Sequence, residues 1–270
     1  MQKKKMKASI IVPAHNEEKR IGKMLAEYLA FFKNKKQEEK IDFQIIVVLN
    51  ACKDRTREVV DKNKCKELKI LEFEKGGKGF AVIEGFKEAL KCDFNLIGFV
   101  DADLATKPEA FYDLIINIEN YDAIIASRYI KGAVIKPKPS LLRVVSSRIY
   151  NAFLRAMLFM PYRDTQCGAK LFKRNSIEKI LPNLTMSKWA FDVDILICLK
   201  NLGLKIKEYP TIWGDKAYSN VGGTKNYLRT GFWMGCAIIR LRLLNSPFNR
   251  HFIKIYDKIM KKIFEWKKKN

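Results

Sequence analysis

Along the first half of the chain, short apolar runs alternate with longer stretches in which apolar residues return every three or four positions. "ASIIVPA" (8–14) is β-branched and ends at Pro13, and the following "HNEEKRIGKMLAEYLAFF" carries Ile21, Leu25, Tyr28, Leu29 and Phe32 at helical spacing. Asn16 stands where it would cap that helix, with Glu17 and Glu18 complementing the helix dipole. "FQIIVVLN" (43–50) leads to "ACKDRTREVVDKN", "LKILEF" (68–73) to "EKGGKGFAVIEGFKEAL", and "FNLIGFV" (94–100) to "DADLATKP", with "YDAIIASRY" (121–129) as a fifth strand. Near-continuous apolar strands separated by helices predict an α/β fold, a Rossmann-like and mostly parallel sheet covered by helices on both faces. Such sheets bind ligands beyond the carboxyl ends of their strands, which is where Asn50, Asp101, Asp103 and Arg128 fall.

After residue 130 the pattern loosens. It predicts a helix over 140–158, a strand near 167–174, a helix over 190–203, a strand near 205–213 and a polar loop over 214–225. A last segment begins with a proline break. In it Phe252, Ile255, Tyr256, Ile259, Ile263 and Trp266 recur at three- and four-residue intervals, while Arg250, Lys254, Lys258, Lys261, Lys262 and the lysines at 267–269 fill the other face. The expected organisation is one domain over 1–245 and a basic amphipathic helix over 246–270. That helix either lies in a membrane interface or docks on the core with its lysines in water.

Composition narrows this picture. A 270-residue chain that is 48% hydrophobic has the makings of a sizeable globular core. Six cysteines without a C-x-x-C pair, and only two histidines, spell neither a disulfide framework nor a zinc site, which suits a reduced, cytoplasmic chain. The apolar run after the basic start "MQKKKMK" is too short for a signal peptide. The longest apolar stretch, "GFWMGCAII" (231–239), is well short of the ~20 residues that a membrane span requires. A net charge of +23, from 52 Lys and Arg against 29 Asp and Glu, points to an anionic partner: nucleic acid, a phospholipid surface or a phosphorylated substrate. A solvated basic surface with no partner is the plain alternative.

Two segments carry candidate chemistry. Asp101 and Asp103, at i and i+2 beyond a strand, can both face a polyanionic ligand if they share a hard cation such as Mg²⁺ or Mn²⁺, although acidic pairs also end strands as solvated turns. "EKGGKGFAV" fails the P-loop spacing because position 72 is Glu, and fails G-x-G-x-x-G because Val82 follows Gly79 by three. What remains is a glycine turn that brings Lys78 and backbone N–H groups to a helix N-terminus, either a modest anion site or a plain turn.

"IIVPAHNEEKRI", "VVLNACKDRT", "KGGKG", "FVDADLATKP" and "ASRYIKG" occur in the order and at the spacing of the inverting, GT-A-fold nucleotide-sugar glycosyltransferases of family two, which the chain resembles. "DTQCGAKLFKR", "WAFDVDIL", "EYPTIWGD" and "LRTGFWMGCAIIRLRLL" look like its dolichyl-phosphate glucosyltransferase and dolichyl-phosphate mannose synthase branch, nearer the glucosyl member, so the resemblance spans roughly residues 8 to 245.

The resemblance implies transfer of a hexose, with UDP-glucose the favoured donor and GDP-mannose the other one open, to a polyprenyl or dolichyl phosphate with inversion and a divalent cation. Pro13, His15, Asn16 and Glu17 match the segment that holds the nucleotide, and Lys78 matches the glycine-turn lysine near the donor. Asn50 stands where the family usually has an aspartate that contacts the base. Asp101 and Asp103 match the metal-binding aspartates, with the small Ala102 between them leaving room for the nucleotide. Arg128, and Arg143 with Ser147, match the residues that receive the acceptor phosphate, for which a planar guanidinium fork is suited. Asp192 and Asp194 occupy the acceptor-side acidic segment. A phosphate acceptor is already ionised, so Asp192 is expected to orient rather than deprotonate. The catalytic set is then Asp101, Asp103, Asp192 and Arg128.

The expected location is peripheral, on the cytoplasmic face of an anionic membrane. One rival is a family-two transferase acting on a hydroxyl of a soluble or lipid-linked glycan, which needs a true base at Asp192 or Asp194. The lack of Q-x-x-R-W and of spanning helices speaks against a processive synthase. Acidic residues along the ligand edge speak against a basic nucleic-acid-binding protein, and no nucleic acid is expected as partner.

Overall fold

The structure is a computed structural model that describes residues 6–39, 41–137, 141–185, 190–214 and 224–246, the side chains of 141–143 and 224–232 excepted. Residues 247–270 of the expected C-terminal helix and 215–223 of the expected polar loop lie outside the described residues. Strands β1 (Lys7–Ala14), β2 (Asp42–Asn50), β3 (Leu68–Phe73) and β4 (Leu96–Val100) alternate with helices α1 (Ile21–Glu38), α2 (Thr56–Asp61) and α3 (Lys78–Ala89). Helix α4 (Pro108–Asn117) leads to β5 (Ala123–Ser127) and the short β6 (Val134–Lys136). Then follow α5 (Leu141–Leu158), β7 (Ala169–Lys173), α6 (Arg174–Ile180), α7 (Phe191–Asn201), β8 (Ile206–Pro210), β9 (Ile212–Gly214) and α8 (Thr224–Leu244).

Seven strands form one sheet in the order β3-β2-β1-β4-β7-β5-β8. All neighbours run parallel except β7, which lies antiparallel between β4 and β5. Strands β4 and β5 are buried along their whole length, as strands covered on both faces must be. Alternate residues feed two cores. Ile10 and Val12 of β1 pack on the side where Tyr28 and Phe32 of α1 meet Phe111 of α4, while Ile11 packs on the side of Phe86, Phe99, Phe172 and Phe191. Burying each such side chain contributes roughly 1.5–3 kcal/mol, so both faces are strongly apolar. Strands β6 and β9 pair in a second, two-stranded sheet, joined to the loop after β4 by an antiparallel bridge between Thr106 and Trp213.

Two expectations are corrected, and the strand expected near 167–174 gains a direction. Helix α1 starts at Ile21, with Arg20 in the cap position and no side-chain cap, so Asn16 is not the cap and Glu17 and Glu18 precede the first turn. Asn16 instead takes φ 55°, a left-handed conformation that asparagine tolerates, and its Oδ1 accepts the Lys53 N–H at 2.8 Å. The expected strand over 205–213 is two strands. The Thr211 N–H turns to the Ser127 carbonyl (3.2 Å), β8 stays in the main sheet and β9 leaves for the small one. The strand near 167–174 forms, but in the direction opposite to its neighbours.

Candidate active site

Strands β1, β2 and β4 end along one edge, and Asn50 joins two of them. Its Nδ2 donates to the Ala14 carbonyl (2.7 Å), its Oδ1 accepts the Gly77 N–H (3.0 Å), and it is only 2% exposed. Both polar atoms have protein partners, so Asn50 shapes the floor of the edge from within. Its own carbonyl lies 2.7 Å from Nδ1 of His15, and because a carbonyl can only accept, that nitrogen carries the proton. Gly77 adopts φ 133°, a region open to glycine, and so brings Lys78 to the first residue of α3.

Lys78 begins a line of alternating charges. Its Nζ is 2.7 Å from Asp101 Oδ1 and 4.0 Å from Asp192 Oδ2, and Asp192 Oδ1 in turn accepts Lys170 Nζ at 2.6 Å. Lys170 is fully buried and also donates to the Cys167 carbonyl at 2.8 Å. Burial pushes the Asp101 carboxyl up; Lys78 opposes this, but the charges of Asp103 and Asp192 leave it raised. Burial also acts to raise Asp192, yet Lys170 and Lys78, with Arg128 adding, hold it below the ordinary carboxylate value. Desolvation works against the Lys78 charge, and Asp101 and Asp192 outweigh it, so the ammonium is secured.

The reversed strand makes this arrangement fit. The Asp101 N–H donates to the Gly168 carbonyl (3.1 Å), and a Cβ at position 168 would lie 2.0 Å from Asp101 Oδ2. Ala102 is buried, and Asp103 Oδ1 accepts the Ala105 N–H (2.9 Å) across Leu104, which sits at φ 60°. Glu17 faces the two aspartates. Its carboxylate is clasped by Arg20 at 2.6 and 2.7 Å, and is raised first by burial, with Asp103 and Asp101 adding.

Arg128 follows β5. Its Nε and Nη2 donate to the two oxygens of Asp164 at 2.7 and 2.9 Å, its backbone N–H adds a third bond at 2.9 Å, and Asp164 is fully buried. Burial opposes the Arg128 charge, but Asp164 raises its pKa further above the usual range. The guanidinium carbon is 5.3 Å from the Tyr129 ring centroid and 5.1 Å from that of Trp213. Tyr129 and Ser147 share a hydrogen bond of 2.7 Å between their hydroxyls.

The edge therefore gathers Asp101, Asp103, Lys78, Glu17 and Asp192, with Asn50 beneath and Arg128 within electrostatic reach of Asp192. His15 and Asn16 are exposed beside it, and Pro13 lies buried in β1. Asp194 is turned elsewhere: it is 2% exposed and accepts the Thr185 N–H at 2.7 Å. Arg143 lies in α5, with its side chain outside the described residues. Lys170, Asp164, Gly168 and Trp213 were not legible as site residues. All four fall within the segments "DTQCGAKLFKR" and "EYPTIWGD" that carry the resemblance, and Lys170 also stands out as a lysine between Ala169 and Leu171 in a strand.

Among the described residues no three His, Cys, Asp or Glu side chains form a ready metal cage. The donor set still fits a hard cation. Two half-buried carboxylates repel each other, with one ammonium between Asp101 and Asp192 to offset them, and ions such as Mg²⁺ take one or two carboxylates and complete their shell from water and substrate oxygens.

This is the fold of the GT-A glycosyltransferases. Solved structures of mannosyl-3-phosphoglycerate synthase from Rubrobacter xylanophilus (TM-score 0.65, 16% identity) and of glucosyl-3-phosphoglycerate synthase from Mycobacterium tuberculosis with Mn²⁺, UDP and phosphoglyceric acid (TM-score 0.63, 14% identity) share it. The first comparison covers 90% of this chain and 76% of that one; the second covers 88% and 78%. A family model described as glycosyl transferase family 2 matches residues 9–181, and the chain belongs to that family of transferases. It is similar to dolichyl-phosphate β-glucosyltransferases from Drosophila melanogaster (33% identity over 242 residues, 84% of this chain and 71% of the relative) and Dictyostelium discoideum (31% over 248 residues, 87% and 73%).

Proposed function

We propose that this chain transfers glucose from UDP-glucose to the phosphate of a dolichyl-type polyprenol, with inversion at the anomeric carbon. GDP-mannose is the second donor its branch of the family allows. The observation that carries the acceptor class is Asp192. Buried Lys170 and nearby Lys78 hold it as a carboxylate of low basicity, a poor base for a hydroxyl but suited to orienting an acceptor that arrives ionised. The relatives named as dolichyl-phosphate glucosyltransferases agree with this choice.

Asp101 and Asp103 would hold Mg²⁺ or Mn²⁺, which when bound supplies charge for the departing diphosphate. Lys78 adds a point charge at the same edge, and backbone N–H groups at the start of α3 favour an anion there. Arg128, its position fixed by Asp164, brings positive charge to the acceptor phosphate; Ser147, bonded to the adjacent Tyr129, and Arg143, one turn earlier in α5, are assigned to the same phosphate. The nucleophile needs no deprotonation, so positioning and charge compensation do the catalytic work.

The polyprenol places the acceptor at a membrane. No helix among the described residues is long and apolar enough to cross one, so we propose peripheral contact with the anionic cytoplasmic face. On α5, Val145, Ile149 and Phe153 repeat every four residues at 45%, 65% and 39% exposure, with the exposed Arg148 and Arg155 along one side of that stripe. The basic segment 246–270 would add to this contact.

Incubation with UDP-glucose, GDP-mannose, Mn²⁺ and a short-chain dolichyl phosphate, reading lipid-extractable sugar, tests the reaction. Activity only with water-soluble glycan acceptors overturns it. Flotation with anionic liposomes tests the membrane contact: equal binding by the full chain, a chain ending at Ser246 and Ile149→Glu overturns that part.

A further inference from the structure

Trp213, in the segment "EYPTIWGD", stands between the loop that carries the acidic pair and Arg128. On one side it is bound to the loop that carries the aspartates. The Gly214 N–H donates to the Ala105 carbonyl at 2.7 Å, Thr106 bridges to Trp213, and the Ala105 N–H is the donor to Asp103 Oδ1. On the other side its ring lies 5.1 Å from the Arg128 guanidinium carbon. The far end of the loop is anchored, because the Tyr28 hydroxyl donates to the carbonyl of buried Thr106 at 2.9 Å. A displacement of Asp103 is therefore taken up between Ala105 and Gly214. Asp164 holds Arg128 along one edge of its plane, so what presses on its face sets its tilt about that edge.

We propose that Trp213 is a positioning residue that carries the state of the 101–105 loop to Arg128, so that affinity for the acceptor phosphate depends on the donor nucleotide. The inference rests on the donor and acceptor roles proposed above. The chemistry of the two ligands, a nucleoside diphosphate with its cation and a phosphate monoester, gives both anions reason to be sensed. Coupling through such a short path belongs in the ordinary range of about five- to 150-fold.

The test measures binding of citronellyl phosphate to the full chain with and without UDP plus Mn²⁺. In the wild type, UDP and Mn²⁺ tighten the probe about fivefold or more. In Trp213→Leu the ratio falls to about one, while UDP and the probe each still bind the protein alone, and Trp213→Phe, which keeps an aromatic face on Arg128, restores most of the ratio. A Leu variant with the full wild-type ratio overturns the inference. Should Trp213→Leu not fold, amide exchange on the wild type decides: UDP with Mn²⁺ slows exchange at residues 213–214, and unchanged exchange there overturns the inference. Wild-type protein that binds UDP without any effect on the probe sinks the coupling alone. Wild-type protein that fails to bind UDP at all sinks the donor assignment beneath it.

Discussion

Two ion-pair systems, one buried and one partly exposed, sit at this edge, and they are built differently. Arg128 and Asp164 make a closed pair, with two side-chain bonds and one backbone bond converging on one carboxylate. The donor side has Asp101, Lys78, Asp192 and Lys170 in a line, with Lys78 shared between two acids at 2.7 and 4.0 Å. A planar fork fixed on one edge is a rigid tool, whereas an ammonium on a four-carbon stem can change partners. The proposed acceptor cation is thus held by the fold along one edge and left only a tilt about it. The donor side keeps its charges balanced by a residue that can move when a ligand anion arrives.

This contrast can be broken in order of effect. Asp164→Asn leaves a buried guanidinium without its partner and should cost about 3–5 kcal/mol of stability, read from urea unfolding; a loss under about 1 kcal/mol would mean the pair is not the closed unit described. Asp103→Asn keeps an acceptor for the Ala105 N–H, so the fold should survive while UDP binding in the presence of Mn²⁺ weakens on the order of a hundredfold, about 2.7 kcal/mol. Calorimetry with and without Mn²⁺ reads this, and unchanged metal-dependent affinity would remove Asp103 from the donor site. Gly168→Ala forces the Asp101 carboxylate to shift, which should weaken the same binding about tenfold and cost about 1–3 kcal/mol in stability. Wild-type nucleotide affinity in that variant would show that Asp101 adapts freely.

The smallest effect is a pH dependence. The folded pKa of Asp192 lies below its unfolded value, so the stability it contributes is fully present above the unfolded value, roughly 4, and is lost as pH falls through the lower folded one. The stability difference between wild type and Asp192→Asn should accordingly be constant near neutrality and shrink in acid. A difference that grows on acidification would reverse the assigned direction. Asp101, raised by burial, carries the opposite sign and offsets part of this in the wild type.

The first half of the fold was legible because its central parallel strands are near-continuous apolar runs separated by helical patterns, as in "ASIIVPA" and "FNLIGFV". The acidic pair was legible because its position at a strand end already implies the ligand edge. Strand direction was not, because an antiparallel β7 between two β4-like neighbours has the same apolar pattern as a parallel one. With it were hidden Gly168 and Lys170, whose partners Asp101 and Asp192 are brought near only by that reversal. Asn16 misled because the residue type that caps helices is also one that tolerates a left-handed backbone, and here the second use prevailed.

A missing side chain at 168 sets a limit on how this site can be redesigned. Every other residue brings at least a Cβ, and that atom would fall inside the carboxylate of Asp101. A library aimed at new donor or cation preferences gains nothing from varying position 168 alone. Positions 168 and 101 form a single locus with one joint set of permitted letters, and a change at either is best screened as a two-residue word.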